Sequence, residues 1–265
     1  MLYILPIGDE YYSIFLPFCQ SIRAKFFVRP ADIVVGATKR SRFMSVKNST
    51  RSGCKDVFHA FMVQNATYEG KLEIPCIAPE TVLPSKLIAF SKAISGTEYD
   101  AWVHFYEDDA SFERIWNKPF KYLPILKRYK GVIAPDFSLY RDMPLAMQHW
   151  NIYRSHAVAV WLQDEGVPVI ANVRWGDERT WDICCSGVPK HSAIAVGSHG
   201  CIKLLSDRNY LVAGLEHVVS KLEPSKIIVY GTAPDKIFLP YKQKGIELLQ
   251  FDSDCSVAHR KAVSA

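Results

Sequence analysis

The chain has 265 residues, 49% of them hydrophobic, and a formal net charge of +5 at pH 7. This apolar content is sufficient for a well-buried core and predicts a globular protein rather than a disordered one. The basic residues are spread along the chain instead of being gathered in a tail. The charge therefore permits a nucleic-acid partner but does not require one.

The seven cysteines exclude a disulfide scaffold, because they are few, irregularly spaced and odd in number. This usage predicts a reducing, cytoplasmic environment. The only close pair is Cys184-Cys185, and no cysteine and histidine group has zinc spacing, so structural zinc is not expected. The apolar N-terminal residues are interrupted by Gly8-Asp9-Glu10 without a basic region before them, and no later run is long enough to span a membrane. A soluble protein without a membrane partner is predicted.

The chain divides into three predicted parts. Residues 1–55 read as an irregular, basic N-terminal segment, in which residues 39–53 are polar and aperiodic. Such a segment is typical of a solvated loop, and a nucleic-acid contact is the alternative. Residues 56–254 are predicted to form a barrel-like α/β domain, and residues 255–265 a C-terminal tail. Within the domain, residues 86–94 have helical spacing and predict a helix.

Strand-like and helix-like segments then alternate. The predicted strands are residues 102–106, 132–134, 167–173, 192–196, 226–230 and 246–251. The longest predicted helix between them covers residues 144–165. Strands that are apolar on both faces and alternate with helices are typical of a parallel sheet covered by helices. Because no Gly-x-Gly-x-x-Gly turn occurs, we predict a parallel (β/α) barrel or partial barrel instead of an open doubly wound sheet.

Polar residues follow nearly every predicted strand. In a parallel barrel these positions converge on one face, where they build the site. They are Glu107, Asp108 and Asp109; Asp136, Tyr140 and Arg141; Asn172, Arg174 and Asp177; Ser198 and His199; Tyr230 and Thr232; and Asp252 and Asp254. Opposite charges facing one pocket indicate an anionic or polar substrate. A purely structural array also has polar loops, so that alternative stays open.

The Gly-Ser-His-Gly run at residues 197–200 is a candidate phosphate loop. Barrels bind phosphates in their later loops through backbone N–H groups, and Gly231 after the next strand would add to such a cradle. A plain tight turn is the alternative. His199 is a candidate acid or base, because its ordinary pKa of about 6.5 lies close to neutrality. Residues 107–109 together with Asp136 could instead hold Mg²⁺ or Mn²⁺, although such acidic runs usually face solvent, and neither a metal nor a cofactor is assigned.

Several motifs resemble a family of bacterial, phage and plasmid proteins known as a domain of unknown function. They are His-Phe-Tyr-Glu-Asp-Asp at residues 104–109, Pro-Asp-Phe-Ser-Leu-Tyr-Arg-Asp-Met-Pro at 135–144, Trp-Asn-x-Tyr-Arg at 150–154 and Ala-Val-Gly-Ser-His-Gly at 195–200. The resemblance covers about residues 56–254. It implies relatives in phages and mobile elements but no established activity.

The order of the later strand ends also looks like the second half of the tRNA-guanine transglycosylase barrel and its phage DNA-modifying relatives. In that family an aspartate after a strand is the nucleophile on the glycosidic carbon. The resemblance implies this role for Asp252, with Asp136 as the second acidic residue. The zinc-binding cysteine and histidine set of the family is absent from this sequence, but it lies outside the barrel chemistry.

Taken together, these features predict a phage or mobile-element protein that acts on nucleic acid or a nucleotide at a glycosidic or phosphodiester bond. Arg141, Asn172 and Arg174 are the predicted substrate-binding residues. The phosphate loop and its neighbours add Gly197, Ser198, Gly200, Tyr230 and Gly231 to this set. The alternative is a non-enzymatic protein that binds nucleic acid or a partner protein through the basic segment at residues 39–51.

Overall fold

The structure is a computed structural model that describes residues 38–39, 50–51 and 54–263. Most of the predicted basic N-terminal segment therefore lies outside the described residues. All described residues belong to one of the two compact units of the chain, Ala37–Ala265. Before the main sheet, Thr67–Glu69 pairs antiparallel with Thr38–Lys39 and with Ile74–Pro75, and Thr50–Arg51 pairs with Cys54–Lys55.

Seven strands form a single sheet in which each strand pairs with the next one along the chain. They are β1 Leu87–Ala89, β2 Trp102–His104, β3 Gly131–Ile133, β4 Val169–Asn172, β5 Ala193–Gly197, β6 Lys226–Tyr230 and β7 Glu247–Phe251. Every pairing is parallel. The sheet curls into a half-barrel with flanking helices, so the predicted α/β partial barrel is confirmed.

Helices connect the strands on the outside of the sheet. They are α1 Phe90–Ala93, α2 Asp109–Phe112, α3 Arg114–Asn117, α4 Pro119–Leu126, α5 Leu145–Asp164, α6 Trp181–Cys185, α7 Leu205–Leu222, α8 Asp235–Gln243 and α9 Asp254–Val263. The long helix predicted at residues 144–165 is confirmed as α5. In the part of the chain that the structure describes, none of the helices is both long and apolar enough to cross a membrane.

The core lies on both faces of the sheet, as expected for parallel strands that are apolar throughout. Side chains such as Val103 and Val132 pack outward against the helices in one large cluster. Alternate residues point inward and form a second cluster of Trp102, Ile133, Ile170, Ala195 and Ile228. The indole of Trp102 lies so close to Gly131 that a Cβ atom there would be 2.6 Å from the ring. A glycine at the start of β3 thus makes room for the largest inner side chain.

The two edges of the sheet approach each other at their carboxyl ends. Lys92, in the helix that follows β1, donates to the carboxylate of Asp254, which follows β7, at 2.7 Å. The half-barrel is therefore strongly curled, and the loops that follow its strands face a common centre.

The helix predicted at residues 86–94 is wrong over its first half. Leu87–Ala89 is the edge strand β1, paired with β2 from Leu87↔Trp102 to Ala89↔His104, and only Phe90–Ala93 is helical. Short apolar runs fit a helix and a buried strand equally well by spacing. Here the hydrogen bonds to β2, which a local pattern does not contain, decide the outcome.

Candidate functional site

A buried carboxylate marks the centre of the carboxyl-terminal face. Asp136, three residues after β3, has only 8% of its surface exposed. The Asn172 Nδ2 donates to Asp136 Oδ1 at 2.8 Å, and the Arg174 Nη1 donates to Asp136 Oδ2 at 2.9 Å. Asn172 ends β4 and Arg174 lies two residues later, so the period-2 alternation of a strand turns both side chains toward the same side.

The hydrogen-bond chain continues to a tyrosine after β2. Tyr106 donates its hydroxyl to Asn172 Oδ1 at 2.9 Å, which leaves the amide of Asn172 free to donate to Asp136. The Tyr106 ring stacks on Tyr230, with ring centroids 4.6 Å apart. Gly197 gives this ring its space, since a Cβ atom there would be 3.0 Å from the ring. The chain from Tyr106 to Arg174 is thus held at both ends.

Burial shifts the pKa values in this hydrogen-bonded chain of side chains. Burial raises the pKa of Asp136, and Arg174 and Asn172 only partly oppose that rise. The neighbouring Asp136 carboxylate raises the pKa of Arg174, which keeps the guanidinium charged. Burial also raises the pKa of the Tyr106 hydroxyl well above its usual range, so the hydroxyl remains a donor. The arrangement fixes one guanidinium nitrogen of Arg174 and leaves the rest of its donor fork for another partner.

A cavity of about 580 Å³ opens beside Arg174. It is bounded by the loops that follow β3, β4 and β5 and by the first turns of α7. Its lining contains two arginines, Arg141 and Arg174, and the aromatic side chains of Tyr140, Trp175 and Tyr210. His199, Gly200 and Cys201 form the side next to β5. A volume in the range of about 300–1,000 Å³ with a few polar groups is typical of small-molecule sites.

Arg141, from the loop after β3, lines the same cavity as Arg174. Its Nη2 donates to Asp207 Oδ1 at 2.7 Å, and its guanidinium carbon lies 4.3 Å from the centre of the Tyr210 ring. Arg179 donates to the carbonyl oxygen of Arg141 at 2.8 Å. These contacts tie the loop to α7 across the mouth of the cavity, and the hydrogen bond to Asp207 raises the pKa of Arg141.

In the predicted phosphate loop, some polar groups already make hydrogen bonds within the protein, and others line the cavity. The Ser198 N–H and hydroxyl both donate to carbonyl oxygens of residues 230–232, and the Gly231 N–H donates to Phe251. The Tyr230 hydroxyl accepts from the Asp254 N–H at 3.1 Å. These groups hold the ends of β5, β6 and β7 together. His199 and Gly200 instead line the cavity, and His199 is exposed.

Asp252 lies apart from this arrangement. It is exposed after β7 and accepts a hydrogen bond from Arg260 of α9 at 2.5 Å. Asp136 and Asn172 contact Arg174, which lines the cavity together with Arg141 and His199. Neither Asp136 nor Asp252 is among the residues that line the cavity.

The acidic residues that follow β2 accept hydrogen bonds from neighbouring segments of the chain. Glu107 accepts hydrogen bonds from the N–H and the hydroxyl of Ser91. Asp109 accepts from the Ser138 hydroxyl at 2.7 Å and from its N–H at 3.2 Å. Within residues 54–263 and the two short strands before them, no group of three or more histidine, cysteine, aspartate or glutamate side chains is arranged to hold a metal ion.

The Trp-Asn-x-Tyr-Arg motif of α5 also has a supporting role. Asn151 donates to the Ser138 carbonyl oxygen at 2.7 Å, and Arg154 donates to Asn151 Oδ1 at 2.7 Å and to Glu113 at 2.5 Å. The motif thereby anchors the loop that carries Asp136. It stabilises the site without entering the cavity.

Sequence reasoning missed four residues of the site. Tyr106 lies two residues after His104 and shares its face by the alternation of a strand, so its position was within reach of the pattern. Cys201 directly follows the predicted phosphate loop, so its position near the site was also within reach of the pattern. Asp207 and Tyr210 come from α7, and no feature of the sequence places them against Arg141.

Comparisons with known proteins agree with the predicted family of phage proteins. A family model described as "Domain of unknown function (DUF4417)" matches residues 66–252, which include all seven strands. The "Gene 1 protein" of Mycobacterium phage D29 is 32% identical over 190 residues, covering 69% of this chain and 68% of that protein. The "Gene 1 protein" of Mycobacterium phage L5 is 33% identical over 189 residues, covering 69% and 80%. No solved structure matches the chain.

Proposed function

The chain belongs to the family described as Domain of unknown function (DUF4417), and we propose that this phage-type protein acts on a nucleotide or a nucleic-acid strand at the carboxyl ends of β3, β4 and β5. The observation that carries the proposal is the cavity beside Arg174, which a second arginine, Arg141, also lines. Guanidinium groups present a planar fork of donors that matches the oxygens of a phosphate.

The hydrogen-bond chain supports this reading, because it orients Arg174 before any ligand arrives. Asp136 accepts from one nitrogen of the guanidinium, Asn172 donates to Asp136, and Tyr106 donates to Asn172. An oriented donor loses little entropy when a phosphate binds. The aromatic rings of Tyr140 and Trp175 in the same cavity offer surfaces on which a base can stack.

The chemistry proposed at this site is cleavage or exchange at a glycosidic or phosphodiester bond, in which water (for cleavage) or an incoming base or hydroxyl (for exchange) attacks and the leaving group takes a proton. The two arginines would neutralise the phosphate, and His199 would donate or accept the proton at the reacting oxygen or nitrogen. Asp136 would act through Arg174, as a positioning residue. The nucleophile role implied for Asp252 has no support from the cavity, so the proposal rests on the Asp136 site.

The test is a calorimetric and thermal-shift comparison of nucleosides, nucleoside monophosphates and short DNA and RNA strands. A ligand present at one hundred times its dissociation constant stabilises the fold by about 2.7 kcal/mol. We expect phosphate-bearing ligands to bind and nucleosides to bind far more weakly. Arg141→Ala should lower the affinity about tenfold or more, because a hydrogen bond to a charged group contributes about 1.5–3 kcal/mol.

The matched control is Arg128→Ala. Arg128 stacks on Tyr99 at 4.1 Å, as Arg141 stacks on Tyr210, but it lies just before β3, at the amino-terminal end of that strand and away from the cavity. Its replacement should leave the affinity unchanged. Equal losses for the two variants, or binding of nucleosides as tight as that of nucleotides, would refute the proposal.

A further inference from the structure

A second cavity adjoins the first on the other side of the residues after β5. It has a volume of about 310 Å³, and its walls come from residues 198–200, from residues 202–203, from Thr232 after β6 and from α9. His199 and Gly200 line both cavities. The loop after β5 is therefore a partition between two neighbouring spaces, each within the size range of ligand sites, about 300–1,000 Å³.

The second cavity favours an anionic ligand more plainly than the first. Its basic side chains are Lys203, His199 and His259, and the hydroxyls of Thr232 and Ser256 add hydrogen-bonding groups. Among the described residues, no carboxylate lines this cavity. The first cavity, by comparison, contains Asp142 and Asp207 as well as its two arginines. A phosphate entering the second cavity would meet no opposing charge from its walls.

The partition between the cavities is held in place. The Ser198 hydroxyl donates to the Thr232 carbonyl oxygen at 2.6 Å, and Arg208 donates to the Ile202 carbonyl oxygen through two nitrogens at 3.0 and 2.8 Å. Gly200, in the middle of this loop, has a φ of +81°, and a Cβ atom there would meet nothing within 4 Å. A ligand that occupies both cavities has open space to cross at Gly200.

We infer that the two cavities are consecutive subsites for a single nucleic-acid strand, with one nucleotide beside Arg141 and Arg174 and the adjoining nucleotide beside Lys203 and His259. The backbone of the strand would pass over Gly200 and bring the linking phosphate next to His199. This inference rests on the proposed function and narrows its substrate class from nucleotides in general to strands of at least two nucleotides. Strand binding of this kind combines basic grooves with stacking surfaces.

The chain carries a free thiol in each cavity, which allows occupancy to be read separately. Cys201 lines the first cavity and Cys255 the second, and Cys76 lines neither. The full-length protein is alkylated with iodoacetamide, and the modification rate of each cysteine is measured by peptide mass spectrometry. Labelling is done at alkaline pH, because burial raises the pKa of the Cys201 thiol. The probes are pools of 5′-phosphorylated DNA and RNA dinucleotides and the matching mononucleotide pools.

The inference expects mononucleotides to slow the alkylation of Cys201 alone and dinucleotides to slow both Cys201 and Cys255, with Cys76 unchanged. Dinucleotide protection of Cys201 alone, or equal protection of Cys255 by both probes, would overturn the second subsite and leave the proposed function standing. If neither probe protects Cys201, the proposed function fails and the inference fails with it.

An affinity measurement gives an independent check. Lys203→Ala should weaken dinucleotide binding about tenfold, whereas Lys221→Ala, which removes the same charge from the far end of α7, should leave it unchanged. Equal effects of the two variants would show that only the net charge matters and would overturn the inference.

Discussion

Replacing Arg174 with methionine removes the charged partner of a carboxylate that has 8% of its side chain exposed, while the Arg174 side chain itself is 27% exposed. Removing one partner of a buried ion pair costs about 3–5 kcal/mol, because the other charge stays buried. Asn172 still donates one hydrogen bond to Asp136, so we expect the lower end, about 3 kcal/mol at pH 7.5. For a domain of this size that loss lowers the melting temperature by about 6–12 °C.

The same variant has a distinctive pH dependence. Burial already raises the pKa of Asp136 above its ordinary value of 3.8, and loss of Arg174 removes a charge that lowers it. A raised pKa means that the folded state favours the protonated, neutral form of Asp136. The stability lost in Arg174→Met therefore grows as the pH rises through the pKa of Asp136 in the folded protein, and it shrinks below that pKa. We therefore expect a smaller loss at pH 4.5 than at pH 7.5.

The assay is urea unfolding of the wild-type protein, Arg174→Met, Asp136→Asn and the double variant at both pH values. The double variant removes both charges and should be more stable than Arg174→Met at pH 7.5, with a coupling energy of about 2 kcal/mol. If the double variant is as unstable as the sum of the two single variants, or if the loss does not depend on pH, the reasoning about a buried ion pair is wrong.

Two further predictions concern the core. Burial lowers the pKa of His104 and His156 to about 4, so their contribution to stability is complete above the ordinary pKa of about 6.5 and is lost as the pH falls toward 4. The free energy of unfolding should fall by up to about 3 kcal/mol per histidine over that pH range. The fall should be less steep in His156→Gln, and a free energy of unfolding that does not change with pH would contradict the prediction. Gly131→Ala should cost about 1–3 kcal/mol, because the new Cβ meets the Trp102 ring. Urea unfolding should show that Trp102→Leu removes most of this cost, and additive losses would contradict the proposed clash.

The architecture followed from local patterns in the sequence. Strands that are buried at every position and apolar up to their last residue, such as Val169–Asn172, fit a sheet that is covered by helices on both faces. The recurrence of such strands with helices between them predicted the parallel order and the half-barrel. The same local logic placed Asn172 and Arg174 on one face, because strand side chains alternate with a period of two. Residues 86–94 show the limit of this logic, since pairing with β2 decided their conformation.

What the sequence alone determined, then, was that polar residues gather at one end of a parallel sheet; which of them meet was decided by the tertiary structure. Asp136 and Arg174 are 38 positions apart, and Arg141 and Asp207 are 66 apart. Their contacts depend on the curl of the sheet and on the path of the loop that α5 anchors, and both are set by packing over the whole domain. For the same reason Asp252, similar in its local pattern to Asp136, lies exposed after β7, which is the edge strand of the sheet among the described residues.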